Sequence, residues 1–73
     1  MALREIRSEI TGSLWKLLKK SGDRVEEDDE LMILESMKME IPVLAEAAGV
    51  IREVRVTEGE AIAEGQVVAV IEV

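Results

Sequence analysis

The sequence predicts an all-β fold, a flattened barrel or sandwich made of two similar half-sheets related by a quasi-two-fold axis. Three observations predict it. The chain repeats itself: "GSLWKLLKKSGDRVEEDDELMILE" from Gly12 aligns with "GVIREVRVTEGEAIAEGQVVAVIE" from Gly49 at a constant offset of 37 residues. Gly22/Gly59, Val25/Ile62, Leu31/Val68, Ile33/Val70 and Glu35/Glu72 all fall in step. β-Branched residues crowd "VIREVRV" and "VVAVIEV", which is the composition of strands. The glycines, finally, recur too closely for a helix of about ten residues, so "LLKK" and "EAIAEG" read as pieces of strand and turn.

Each element follows in order. A first apolar strand starts at Gly12, a turn at Gly22 ends it, and "RV" is a short extended piece. A second turn lies in "EEDDE", followed by the strand "ELMILE". The second half repeats the plan, with turns at Gly59 and Gly65 and a closing strand "VVAVIEV". Asp28 stands where the second half has Gly65; Asp tolerates a left-handed turn, at a small cost in stability. Between the halves, "LMILE" and "MEIPVL" form a hairpin, and Pro42 suits an edge strand or a bulge. The expected core is Leu14, Leu17, Val25, Leu31, Ile33, Ile41, Val43, Ile51, Val54, Ile62, Val68, Val70 and Ile71. The 73 residues make one small domain, 1–73, with repeats at about 12–36 and 49–73. A domain of this size buries roughly 60% of its unfolded surface, which leaves little room for a catalytic cleft.

Composition removes several function classes. The absence of Cys and His excludes disulfides, thiolate and imidazole metal sites and imidazole bases. Nine basic against sixteen acidic residues give a net charge of −7, which argues against nucleic acid as a partner. The apolar stretches are too short to span a bilayer, and "MALREIRSEI" carries acids and no apolar signal core. The expected location is the cytoplasm, with no membrane partner. "RVEEDDE" reads as a solvated turn, since the spacing and helices of a calcium loop are absent.

The hairpin tip, "ESMKME", carries the chemistry. Lys38 has no counterpart in the second half, because an offset of 37 falls on Met1 or just past the C-terminus; the symmetry therefore places it opposite the chain ends. Most lysines at such tips are solvated surface residues. That reading leaves Met37 and Met39 unexplained, because exposed methionines forgo the gain of burial. A catalytic amine needs burial or neighbouring cations, whereas Glu35 and Glu40 flank this one. Ser36 has no histidine to activate it. An accessible amine on a rigid hairpin between recognisable side chains is what a modifying enzyme requires. Trp15, the only aromatic residue, reads as a partly buried strand residue.

"ESMKME", set inside this repeat and beside "GDRV" and "AAGVIREVRVTEGEAIAEGQVVAVIE", resembles the attachment site of biotinyl domains, the carriers of biotin-dependent carboxylases. The resemblance runs from about Ser8 to Val73. It implies a barrel-sandwich of two four-stranded antiparallel sheets, with biotin attached covalently to Lys38. Met37 and Met39 are implied as the ligase-recognition pair, Glu35, Ser36 and Glu40 as secondary recognition residues, and the glycines at 12, 22, 49, 59 and 65 as structural turn residues. The implied partners are a biotin protein ligase, which activates biotin with ATP, and the biotin carboxylase and carboxyltransferase between which the carrier moves carboxyl groups. The carrier is non-catalytic and, in isolation, expected to be a monomer. A lipoyl carrier shares the fold, with lipoate in place of biotin, but usually lacks the methionine pair. An unmodified barrel-sandwich adaptor has no use for the lysine motif. Ser36 departs from the alanine common before Met-Lys-Met, and no extra protruding loop is present.

Overall fold

The computed structural model describes residues 2–73, and these form eight strands and no helix. They are β1 (Leu3–Arg7), β2 (Gly12–Leu17), β3 (Arg24–Val25), β4 (Glu30–Ser36), β5 (Met39–Leu44), β6 (Gly49–Val54), β7 (Ala61–Ile62) and β8 (Val67–Glu72). All pairings are antiparallel and make two four-stranded sheets, β1-β8-β6-β3 and β5-β4-β2-β7. Adding 37 to the residue numbers of the first four strands lands on the next four, and the same operation carries one sheet order onto the other. Each half gives strands to both sheets, so neither half can bury its own apolar face.

The symmetry extends to the turns. Gly22 and Gly59 have φ of 95° and 91°, and Asp28 and Gly65 have φ of 72° and 86°. Asp28 thus occupies the left-handed conformation expected of it, a region where L-residues other than Asn and Asp are disfavoured. Its carboxylate neighbour Asp29 accepts from Glu26 N at 2.8 Å, as Gln66 Oε1 accepts from Ala63 N at 2.9 Å in the second half. Asp23 and Glu60 close the other pair of turns by accepting from Lys20 N and Thr57 N.

Gly12 and Gly49 are not turn residues. They open β2 and β6, where a Cβ would lie 2.5 Å from the Glu35 carbonyl oxygen and 2.3 Å from that of Glu72. Their lack of a side chain lets two strands approach closely.

The core between the sheets contains most of the expected residues, with differences that follow from irregular pairing. β2 shifts register against β4 between Leu14 and Lys16, and β4 against β5 between Glu30 and Met32. Each bulge flips the inward–outward alternation downstream of it. Leu31 and Met32 are consequently both buried, Leu34 is fully buried, and Ile33 is only half-buried on the outer face opposite Pro42. Leu17, Ile41, Val43 and Val54 are also half-buried, while Ile6, Ala45, Val56 and Ala69 join the core. The sheet edges are unsuited to further pairing: β3 and β7 have two residues each, β5 carries Pro42, and β1 carries Arg4, Glu5 and Arg7.

The chain ends meet opposite the hairpin. Ala2 N donates to Val73 O at 3.1 Å and Val73 N to Ala2 O at 2.9 Å. By the 37-residue offset these two residues correspond to Met39 and Ser36. Met1, the counterpart of Lys38, lies outside the described residues.

Candidate functional site

The candidate site is the tip joining β4 to β5. Its register is unbroken to the end, Leu34 opposite Ile41, Glu35 opposite Glu40 and Ser36 opposite Met39, which leaves Met37 and Lys38 as a two-residue loop. Both have positive φ, 53° and 65°. Two-residue hairpins favour this arrangement because its twist matches that of the strands, but they normally fill it with Asn-Gly or Asp-Gly. A left-handed conformation costs an L-residue of ordinary shape roughly 1–2 kcal/mol. Met37 and Lys38 are thus held in disfavoured conformations by the paired strands beneath them, as strained residues at functional sites commonly are.

The supports of the tip are identifiable. Leu34, fully buried, anchors β4 in the core two residues before the turn begins at Ser36. Ser36 is half-buried, and its hydroxyl donates to the Thr11 carbonyl at 3.0 Å. Gly12, next along, lies against the Glu35 backbone. The start of β2 therefore braces the end of β4. The family resemblance implies a recognition role for Ser36 and a turn for Gly12; in the fold Ser36 belongs to this brace, and Gly12 is its other half and lies in a strand, not a turn. Neither role is visible without the approach of two strands distant in sequence.

Above the brace, everything is open. Met37 is 91% exposed and Met39 62% exposed, and Lys38, Glu35 and Glu40 are exposed. Lys38 makes no salt bridge and no side-chain hydrogen bond among the described residues. Glu35 and Glu40 face each other directly across the ladder, a pairing that repels and that puts two negative charges on the strands just below the tip. The six residues from Glu35 to Glu40 are therefore together at one protruding edge. Chemically the arrangement offers an exposed primary amine at a fixed position, flanked in sequence by two carboxylates, with space around it for another molecule's active site.

Comparison with known proteins follows the same line. A family profile described as "Biotin-requiring enzyme" matches residues 5–71. A biotin/lipoyl attachment protein of Bacillus subtilis is 48% identical over 59 residues, covering 81% of either chain. A protein of Mycobacterium leprae, described as a biotinylated protein TB7.3 homolog, is 45% identical over 67 residues, covering 92% of this chain and 94% of its own. Among solved structures, the urea carboxylase of Kluyveromyces lactis contains a region that superposes with a TM-score of 0.93 at 35% identity. That match covers 99% of this chain but 6% of the carboxylase, so the likeness is to one small part of a large enzyme.

Proposed function

Because the chain belongs to the biotin/lipoyl attachment family of biotin-requiring enzymes, we propose that it is a biotin carboxyl carrier and that Lys38 is the residue a biotin protein ligase acylates. The observation that carries the assignment is the unpaired, exposed amine of Lys38 on a strained two-residue turn. The residues fit such a group: among the described residues nothing covers the tip and the amine has no competing partner, and the braced strands hold it at one place. Once attached, biotin supplies a ureido nitrogen able to take up and release a carboxyl group.

The chain's own residues supply presentation. Braced strands restrict the entropy lost when the tip enters an enzyme, and the exposed thioethers of Met37 and Met39 offer soft, adaptable apolar contacts on either side of the amine. Glu35 and Glu40 add negative charge that complements a basic enzyme surface. Tethering through Lys38 turns encounter with a carboxylase and a carboxyltransferase into a local search at high effective concentration. The methionine pair favours biotin over lipoate, which the same family also carries.

Intact mass tests the assignment. Incubation with a biotin protein ligase, ATP and biotin is expected to add one biotin to the chain and none to Lys38→Arg. A parallel reaction with a lipoate ligase is expected to give little product. A lipoate increment without a biotin one would transfer the protein to the lipoyl carriers, and neither increment would leave an unmodified adaptor.

A further inference from the structure

The two-fold relation supplies an internal comparison: positions 37 residues apart occupy the same place in the two sheets, so a difference in side chain there is not dictated by the fold. The outer faces differ sharply. On the sheet carrying Lys38, Ile33 faces outward opposite Pro42, and Trp15 and Lys16 lie opposite Ile33 at the β2 bulge. Leu44, opposite Glu30, and Leu18, bonded through its N–H to the Leu31 carbonyl, extend the same surface. Trp15 is 46% exposed, Leu18 and Leu44 each 41%. The positions equivalent to Trp15, Leu18, Pro42 and Leu44 on the other sheet are Arg52, Arg55, Glu5 and Arg7. The three ion pairs of the described residues, Arg7–Glu5, Arg52–Glu72 and Arg55–Glu53, all lie on that sheet. The Arg55 guanidinium is raised above its ordinary value, first by its hydrogen bond to Glu53 and then by that carboxylate's charge.

The sheet away from the lysine is thus charged at these four positions, with Leu3 and Val70, the counterpart of Ile33, the apolar residues of its outer side, whereas the sheet that bears the lysine gathers Trp15, Leu18, Ile33, Pro42 and Leu44 into one apolar patch. We infer that the outer face around Trp15, Ile33, Pro42 and Leu44 is a docking surface for the ligase that acylates Lys38, received by an apolar patch on that enzyme with a basic rim. The inference rests on the reading of Lys38 as the acylated residue. Reach argues for the ligase. A lysine Nζ extends only about 6 Å from its Cα, so the enzyme that attaches the group must press against the surroundings of the hairpin, whereas later partners meet a longer arm. Ile33 and Pro42 are four to five residues from Lys38 along their strands, about 13–17 Å at the rise of a β-strand, within the footprint of an enzyme engulfing the tip. Charge argues against a second copy: Glu30, Glu35 and Glu40 lie on this face, and two chains of net charge −7 repel. The same charges complement a basic rim. An exposed tryptophan among aliphatic side chains is a common energetic centre of such interfaces.

The test transplants the residues of one sheet onto the other. Trp15→Arg and Leu44→Arg install the side chains already present at the equivalent positions 52 and 7, so the strands accept them; Arg52→Trp and Arg7→Leu are the reciprocal controls. In steady-state biotin attachment by a biotin protein ligase, KM for the first pair is expected to rise about tenfold or more with kcat retained, and KM for the controls to stay at the wild-type value. The wild-type chain with 5-fluorotryptophan at its single Trp should show a shifted fluorine resonance when ligase is added. Wild-type KM for Trp15→Arg and Leu44→Arg, an unmoved fluorine resonance, or sedimentation of the wild type as a dimer through this face would overturn the inference while leaving the carrier reading intact. A wild-type chain that accepts no biotin at all would instead remove the carrier reading, and the inference with it.

Discussion

At the scale of the residue, the site is built on two conformations that its side chains do not favour. Met37 and Lys38 both sit at positive φ, where Asn and Gly are the economical choice. If their identity serves modification and not folding, then replacing them should improve the fold. Met37→Asn with Lys38→Gly is expected to raise stability by about 1 kcal/mol in chemical denaturation, the relief of left-handed strain being offset in part by the added freedom of glycine in the unfolded chain. A loss of stability would show that the turn is not strained. The place of Lys38 at a hairpin tip was legible in the sequence, because the strand-like runs "LMILE" and "MEIPVL" flank it. Its backbone conformation was not: nothing in Met-Lys signals a left-handed turn, and only the unbroken pairing of Ser36 with Met39 forces it. Asp28 was legible for the opposite reason, since its repeat partner is Gly65.

At the scale of the element, the strands opening at Gly12 and Gly49 carry the tightest contacts. A methyl group at either glycine meets backbone, Glu35 O in one case and Glu72 O in the other, and backbone cannot move aside as a side chain can. Gly12→Ala and Gly49→Ala are each expected to cost about 1–3 kcal/mol. They separate in function: Gly12 lies against the strand that leads to Lys38, and Gly49 lies against Glu72 at the far end of the other sheet. Biotin attachment should slow more in Gly12→Ala than in Gly49→Ala, measured under conditions where both remain folded; equal rates would show that the brace has no part in presentation. The repeat made these glycines visible in the sequence as a pair, but not what they do, because the strand that approaches each is some 23 residues away. Bulges hid part of the core in the same way. Alternation read along "LMILE" marks Leu31 and Ile33 as inward; Leu31 is, but the register shift beside it turns Met32 and Leu34 inward and Ile33 outward.

At the scale of the molecule, the repeat decides where the lysine is. Two halves of eight strands, exchanged between two sheets, leave two equivalent poles: one is closed by the Met37–Lys38 turn, and the other holds the paired residues Ala2 and Val73. The architecture and the pole were legible from the 37-residue offset alone, while the contrast between the two outer faces needed the pairing register to show which side chains point away from the core. A scaffold of this kind tolerates change at its tip, since the core lies entirely below Ser36 and Met39. The most direct measurement is biotin attachment to a chain in which the lysine is moved by one residue, Met37→Lys with Lys38→Met, followed by intact mass, with circular dichroism to confirm the strands. The expected result is a folded chain that gains no biotin beside a wild type that gains one; attachment at the wild-type rate to lysine at position 37 would contradict the claim that the fold presents Lys38 to its modifying enzyme by geometry.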